Sequence, residues 1–258
     1  MPVAEWVEID RYAVALVEEL QRSIVQDYER YEFHPAMAKL QAFCSEDLGA
    51  FYLDILKDRL YTCGAKSRAR RSAQTALWHV TNTFLRLIAP VLSFTAEEAW
   101  QVFAGESHRE NKTIFVEEFR GLPDVSKGGP IDDTFNLRVK WEGIRKIRSE
   151  VLKVLEEMRA AKKIGSSLQA EVEISAGDEQ LALLRWLGDD ARFVFITSQA
   201  RVVQGNGGLT VTARASPHPK CERCWHWRAD VGADPKHPGI CARCVLNLYG
   251  SGEPRQFA

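Results

Sequence analysis

Cys221-Glu222-Arg223-Cys224 and, after sixteen intervening residues, Cys241-Ala242-Arg243-Cys244 decide how the end of this chain folds. Two C-x-x-C pairs at that spacing read as a metal site. Each pair turns two thiolates toward one point, and two such knuckles complete a tetrahedron. Four sulfurs leave no position for water or substrate, so the ion is structural: one zinc, although four thiolates also tolerate Fe(II) or Cd(II). Four unrelated thiols would not be paired in this way. Disulfides are the other alternative, but no secretory leader opens the sequence and Cys44 and Cys63 lie in amphipathic helical stretches. A reducing, cytoplasmic setting is therefore expected. Residues 216–258 become a zinc-binding mini-domain too small to fold without its metal.

Working back from the knuckles, the sequence predicts a small α+β module. A long basic helix from Leu137 to Ile164 carries its stripe on Leu137, Trp141, Ile144, Val151, Leu155 and Met158, and Gly165 is its expected stop. Strands are expected at 168–175, Phe193–Thr197 and Leu209–Ala213, with a helix at Leu181–Leu187. Residues 137–215 make up this module. Residues 105–136, poor in periodicity, are read as a linker with a short strand at Ile114–Phe119.

The first 104 residues read as an antiparallel helix bundle. Ile9, Ala13, Leu16, Val17, Leu20, Ile24 and Tyr28 form one stripe. A second helix passes through Met37, Leu40 and Phe43. Ser45-Glu46-Asp47 is the expected cap of a third, which carries Leu48, Phe51, Tyr52, Ile55, Leu56 and Leu60. A fourth starts near Arg70 with Leu77, Trp78, Thr81, Phe84, Leu85 and Ile88 inward, and Pro90 ends it. Thr95 to Glu98 fits a capping box for a fifth. The fold class is mainly α: an antiparallel helix bundle, then a long helix with the small α+β module, then a C-terminal four-cysteine zinc-binding mini-domain.

With 258 residues, 45% hydrophobic and 27% charged, the composition is that of an ordinary globular chain. No apolar run approaches the ~20 residues a membrane helix needs. The net charge of −1 conceals segregation. Residues 57–71 hold six bases against one acid, and residues 138–163 hold nine bases against four. Local fields of this kind attract a polyanion. Lys57, Arg59, Arg68, Arg70 and Arg71 are the candidate phosphate contacts. In the zinc segment Arg223, Trp225, Trp227, Arg228 and Arg243 combine indoles with guanidiniums, a platform for an unpaired base. The same residues would serve a protein-docking module or an internal brace. No Gly-rich phosphate loop, H-E-x-x-H motif or local nucleophile–base pair occurs. The histidines His34, His79, His108, His218, His226 and His237 are scattered, so no catalytic residue is assigned.

Three segments make the reading specific. They are Phe43-Cys44-Ser45-Glu46-Asp47-Leu48 through Phe51–Thr62, Ala69-Arg70-Arg71-Ser72-Ala73-Gln74-Thr75-Ala76-Leu77, and Ala89-Pro90-Val91-Leu92-Ser93-Phe94-Thr95-Ala96-Glu97-Glu98-Ala99-Trp100. Each resembles the anticodon-binding bundle of bacterial isoleucyl-tRNA synthetases. Cys221–His226, Ile240–Cys244 and Gly252–Ala258 resemble that family's C-terminal zinc domain. The family's His-Ile-Gly-His-type and Lys-Met-Ser-Lys-Ser-type motifs and its editing domain are missing here. The resemblance implies a catalytically inactive C-terminal portion whose partners are the anticodon stem-loop of isoleucine tRNA and the catalytic and editing domains of the same enzyme. It implies a monomer, with ATP used only by the parent's catalytic domain.

Overall fold

The stripe that opens the chain builds a helix, α1 (Glu8–Glu29), and its positions Ile9, Ala13, Val17 and Ile24 are buried. This computed structural model describes residues 1–105, 113–126 and 134–258; His108 and parts of the expected linker lie outside the described residues. α2 (Phe33–Ala42) follows with Pro35 in its first turn, where a missing N–H costs nothing. The chain then runs on without a break through a π-helical segment, Phe43–Leu53, into α3 (Asp54–Thr62). The cap expected at Ser45 does not form. Its hydroxyl donates back to the Gln41 carbonyl at 3.0 Å, a bond that keeps the helix going rather than starting a new one.

α4 (Arg68–Ile88) buries Ala69, Ser72, Ala73, Ala76, Val80, Thr83 and Leu87. Of the expected inward residues Leu85 and Ile88 are buried, whereas Trp78 is 52% exposed, because small residues form the close-packed side of the helix's first half. α5 (Ser93–Ala104) begins two residues before the expected capping box. Glu97 instead accepts from the Thr113 hydroxyl at 2.7 Å and the Ile114 N–H at 2.8 Å.

Two compact units result. The first comprises Met1–Asp54 and Ser72–Thr134. Ile24, Leu40, Leu85, Leu87, Ile88 and Trp100 lie at its centre, together with Ile114. Residues 113–126 are therefore held structure rather than a free linker. Arg11 donates to the Val125 carbonyl at 2.9 and 2.7 Å, and Arg86 pairs with Glu117 at 2.8 Å. Ile114–Val116 is a 3-10 turn, not the expected strand.

The second unit comprises Ile55–Arg71 and Phe135–Ala258. The basic run 57–71 thus packs with the C-terminal half, whereas composition grouped it with the bundle. α6 (Thr134–Ala160) buries Leu137, Trp141, Ile144, Val151 and Leu155. It stops earlier than Gly165. Lys162 takes the left-handed conformation (φ 55°) and the Lys163 N–H bonds the Met158 carbonyl at 2.9 Å, so the last carbonyls are satisfied without glycine.

β1 (Ala170–Ala176) is the centre of a three-stranded sheet. It runs parallel to β2 (Gln199–Gln204), with Val172 opposite Ala200, and antiparallel to β3 (Thr210–Ala215), with Val172 opposite Ala213. A parallel pair needs a crossover, supplied by α7 (Asp178–Leu187) and α8 (Ala191–Val194). The segment expected as a strand, Phe193–Thr197, instead ends α8 with Phe193 and Val194 and then turns: Phe193, Val194 and Phe195 are buried in succession, which erases the alternation that separates strand from helix. α7 lies against α6 at Gly143, where a Cβ would stand 2.6 Å from Leu183 Cδ1.

Candidate metal centre and nucleic-acid interface

The first knuckle is a tight turn. The Trp225 N–H reaches the Cys221 carbonyl at 3.0 Å and the Cys221 N–H reaches that of His226 at 2.8 Å. Trp225 itself has a φ of 64°. The second knuckle opens a helix, α9 (Ala242–Tyr249), with Cys241 at its cap and Cys244 one turn in. Gly232 (φ 79°) turns the intervening loop where a Cβ would approach the Pro238 carbonyl to 3.0 Å. The four Sγ atoms are buried and all lie within 4.8 Å of one another. Cys221–Cys244 measures 3.8 Å and Cys224–Cys241 3.7 Å. Thiolates ~2.3 Å from a tetrahedral zinc stand about 3.8 Å apart, so the donor set fits one structural zinc.

Without a cation the thiols cannot all ionise. Hydrogen bonds from Cys241 and Cys244 pull Cys224 down, and the bond to Cys224 pushes Cys241 up to about 11. A divalent ion resolves that conflict. The Cys241 N–H points at Cys221 Sγ (3.3 Å), and Arg223 Nη1 lies 3.7 Å from Cys244 Sγ. Both donors offset thiolate charge.

Behind the knuckles lies a buried ion network. Arg243 donates to both Asp58 oxygens at 2.8 Å and to Glu253 at 3.2 Å. Arg255 pairs with the same two carboxylates. Burial alone would raise the Asp58 carboxyl, but the Arg243 and Arg255 guanidiniums hold it well below the usual carboxylate range. Glu253 is held low in the same way against its burial. Asp190 accepts the backbone N–H groups of Gln256, Phe257 and Ala258 at 3.1, 2.9 and 3.3 Å, which fastens the tail.

Two of the candidate cations lie in the interior. Arg59 is fully buried and donates to the Ala69 carbonyl. Arg243 is 7% exposed and committed to Asp58. Both guanidiniums bond protein acceptors and so brace the fold. The other cations are more accessible. Lys57, Arg68 and Arg71 are exposed, while Arg70, Arg223 and Arg228 are half-buried. Arg68 also donates to the Arg255 carbonyl at 3.2 Å, and Arg228 forms a bidentate pair with Asp230 at 2.8 and 3.0 Å. Trp225 is 60% exposed; Trp227 is half-buried, its backbone N–H donating to Ser198 Oγ at 2.6 Å. All ten residues belong to the second unit. Asp58, Asp190, Glu253 and Arg255 were not singled out from the sequence. The only available signal was the alternating charge of Glu253-Pro254-Arg255.

The model of the family "anticodon-binding domain of tRNA ligase" matches residues 10–174. The chain belongs to that family. A second model, a zinc finger found in FPG and IleRS, matches residues 219–247 and so encloses all four cysteines. Over its whole length the chain is 56% identical to an isoleucine–tRNA ligase of Cupriavidus pinatubonensis and 55% identical to one of Bordetella petrii. It spans 26% and 27% of those two proteins, about a quarter of each. Among the described residues no helix is long and apolar enough to cross a membrane.

Proposed function

We propose that this chain is the anticodon-recognition portion of an isoleucine–tRNA ligase and grips the anticodon stem-loop of isoleucine tRNA in the cytoplasm. The whole ligase attaches isoleucine to that tRNA at the expense of ATP, and the catalytic and editing steps belong to the remaining three quarters of the polypeptide. The contribution of these residues is positioning: binding energy far from the reacting atoms orients the acceptor end. The chain acts as a monomer beside its own catalytic and editing domains.

The observation that carries the reading is Trp225, an indole 60% exposed on a turn anchored by buried metal ligands. A large aromatic side chain left in water on a rigid turn is suited to stacking an unpaired base. Lys57, Arg68, Arg70 and Arg71, in the same compact unit, supply phosphate contacts, with Arg223, Trp227 and Arg228 beside the knuckle. A second reading, in which the zinc segment is an internal brace, draws support from the Arg243–Asp58 pairs. The two divide the arginines between them: buried ones brace and accessible ones bind.

A filter-binding titration tests the proposal. Isoleucine tRNA is expected to bind more tightly than a non-cognate tRNA, with affinity falling as salt rises. Equal affinity for both, or insensitivity to salt, contradicts it.

A further inference from the structure

Lys220 immediately precedes the first zinc-ligating cysteine and pairs across an isolated antiparallel bridge with Trp227. Its Nζ lies 5.3 Å from the ring centroid of Trp225 and 5.3 Å from that of Trp227. One ammonium thus serves two indoles, each within the range of a cation–π attraction. Lys220 is exposed, and among the described residues no carboxylate pairs with it. Indole faces attract the cation but do not use its three N–H donors as a carboxylate would. Because Lys220 is exposed, those donors remain open to an incoming acceptor.

The local backbone makes the arrangement stiff. The Trp225 backbone is held in its left-handed conformation by its N–H bond to the Cys221 carbonyl, and the Trp227 backbone is held by its N–H bond to Ser198 Oγ. A long lysine side chain normally loses rotamer entropy when it binds; here two ring contacts have already restricted it. The result is a flat apolar face with a pre-placed cation at its margin. A single nucleotide offers the complement, a flat base joined to an anionic phosphate.

We infer that Lys220 is the phosphate contact of the nucleotide whose base stacks on Trp225, and that it also positions both indoles. The inference rests on the proposed RNA-binding role and assigns it a specific pair of contacts. The base takes the Trp225 face that the ammonium does not cover, and the phosphate receives the outward N–H groups as a charge-assisted hydrogen bond.

The test uses the full zinc-loaded chain and an unmodified isoleucine tRNA transcript, with filter binding between about 50 and 200 mM salt. Lys220→Met is expected to weaken binding roughly tenfold and to reduce the salt slope by ~1. Lys220→Arg should restore both, since a guanidinium also binds phosphate and stacks on indole. Acrylamide quenching of tryptophan fluorescence should rise in Lys220→Met at unchanged zinc content, the mark of a freed indole. Lys220→Gln, with the same readouts, guards against a folding defect peculiar to methionine. Unchanged affinity and slope in Lys220→Met and Lys220→Gln, while Trp225→Ala loses affinity, would overturn the inference and leave the RNA reading standing. If Trp225→Ala loses nothing, the RNA reading fails and this assignment fails with it.

Discussion

The helix bundle and the zinc module are held by opposite means. At the centre of the bundle sit aliphatic and aromatic side chains such as Ile24, Leu40, Leu87 and Trp100. At the centre of the zinc module sit four cysteines, with Val231 and Ile240 packed against them. The first kind of core is a sum of many small burial terms, each worth a few kcal/mol at most. The second is close to all or none, because the metal stands in for an apolar interior that so short a segment cannot build. A graded core tolerates local change. An all-or-none core makes a rigid platform, and it is there that Trp225 is left exposed.

The largest effect expected from that contrast is metal removal. Chelation, or Cys244→Ser, should unfold residues 216–258, since structural zinc contributes roughly 10–16 kcal/mol to small metal-folded peptides. Zinc content and amide exchange would follow the loss. The exchange pattern of Leu40 and Leu87 should not change. Bundle amides that open together with the zinc module would erase the distinction.

Next in size is the ion network. Arg243→Met leaves the buried Asp58 and Glu253 carboxylates sharing Arg255, with one negative charge uncompensated, a loss of about 3–5 kcal/mol. Chemical denaturation of the zinc-loaded chain measures it. The same network sets a pH dependence. Asp58 and Glu253 are depressed in the folded state, so their stabilisation is complete above the ordinary carboxylate range near pH ~4. It is lost as pH falls through and below that range. Asp58→Asn should flatten the slope of unfolding midpoint against pH.

In the bundle, Leu87→Ala should cost about 2–5 kcal/mol and Leu87→Met under about 1.5 kcal/mol, read by the same denaturation. Such grading has no counterpart at the cysteines. Smallest in stability is Trp225→Ala: the side chain is largely in water, so the unfolding midpoint should stay nearly constant. RNA affinity should fall by roughly 1–3 kcal/mol.

What the sequence revealed divides along the same line. α1 and α6 are plain from periodicity because each carries a regular apolar stripe along its length, although in α1 every residue from Glu8 to Ala15 is buried. The metal centre is plain from spacing alone. The failures are those of partners distant in sequence. Nothing near Arg243 announces Asp58, 185 residues away, so a buried brace and a solvated phosphate contact looked alike. Arg59 differs: its acceptor, the Ala69 carbonyl, is only 10 residues on, and what periodicity does not show is that the guanidinium is buried there. The Trp78 error arose because Ala69, Ala73 and Ala76, small enough to be overlooked as a core face, set the packed side of α4. At the end of α6, Lys162 accepted a conformation usually left to glycine, which no single-residue preference anticipates.

Hydrogen exchange of the zinc-loaded chain, with and without isoleucine tRNA, tests the central claim most directly. The account predicts new protection at residues 220–227 and 57–71, with the amides around Leu87 unchanged. Protection confined to other residues, or none anywhere at saturating tRNA, contradicts it.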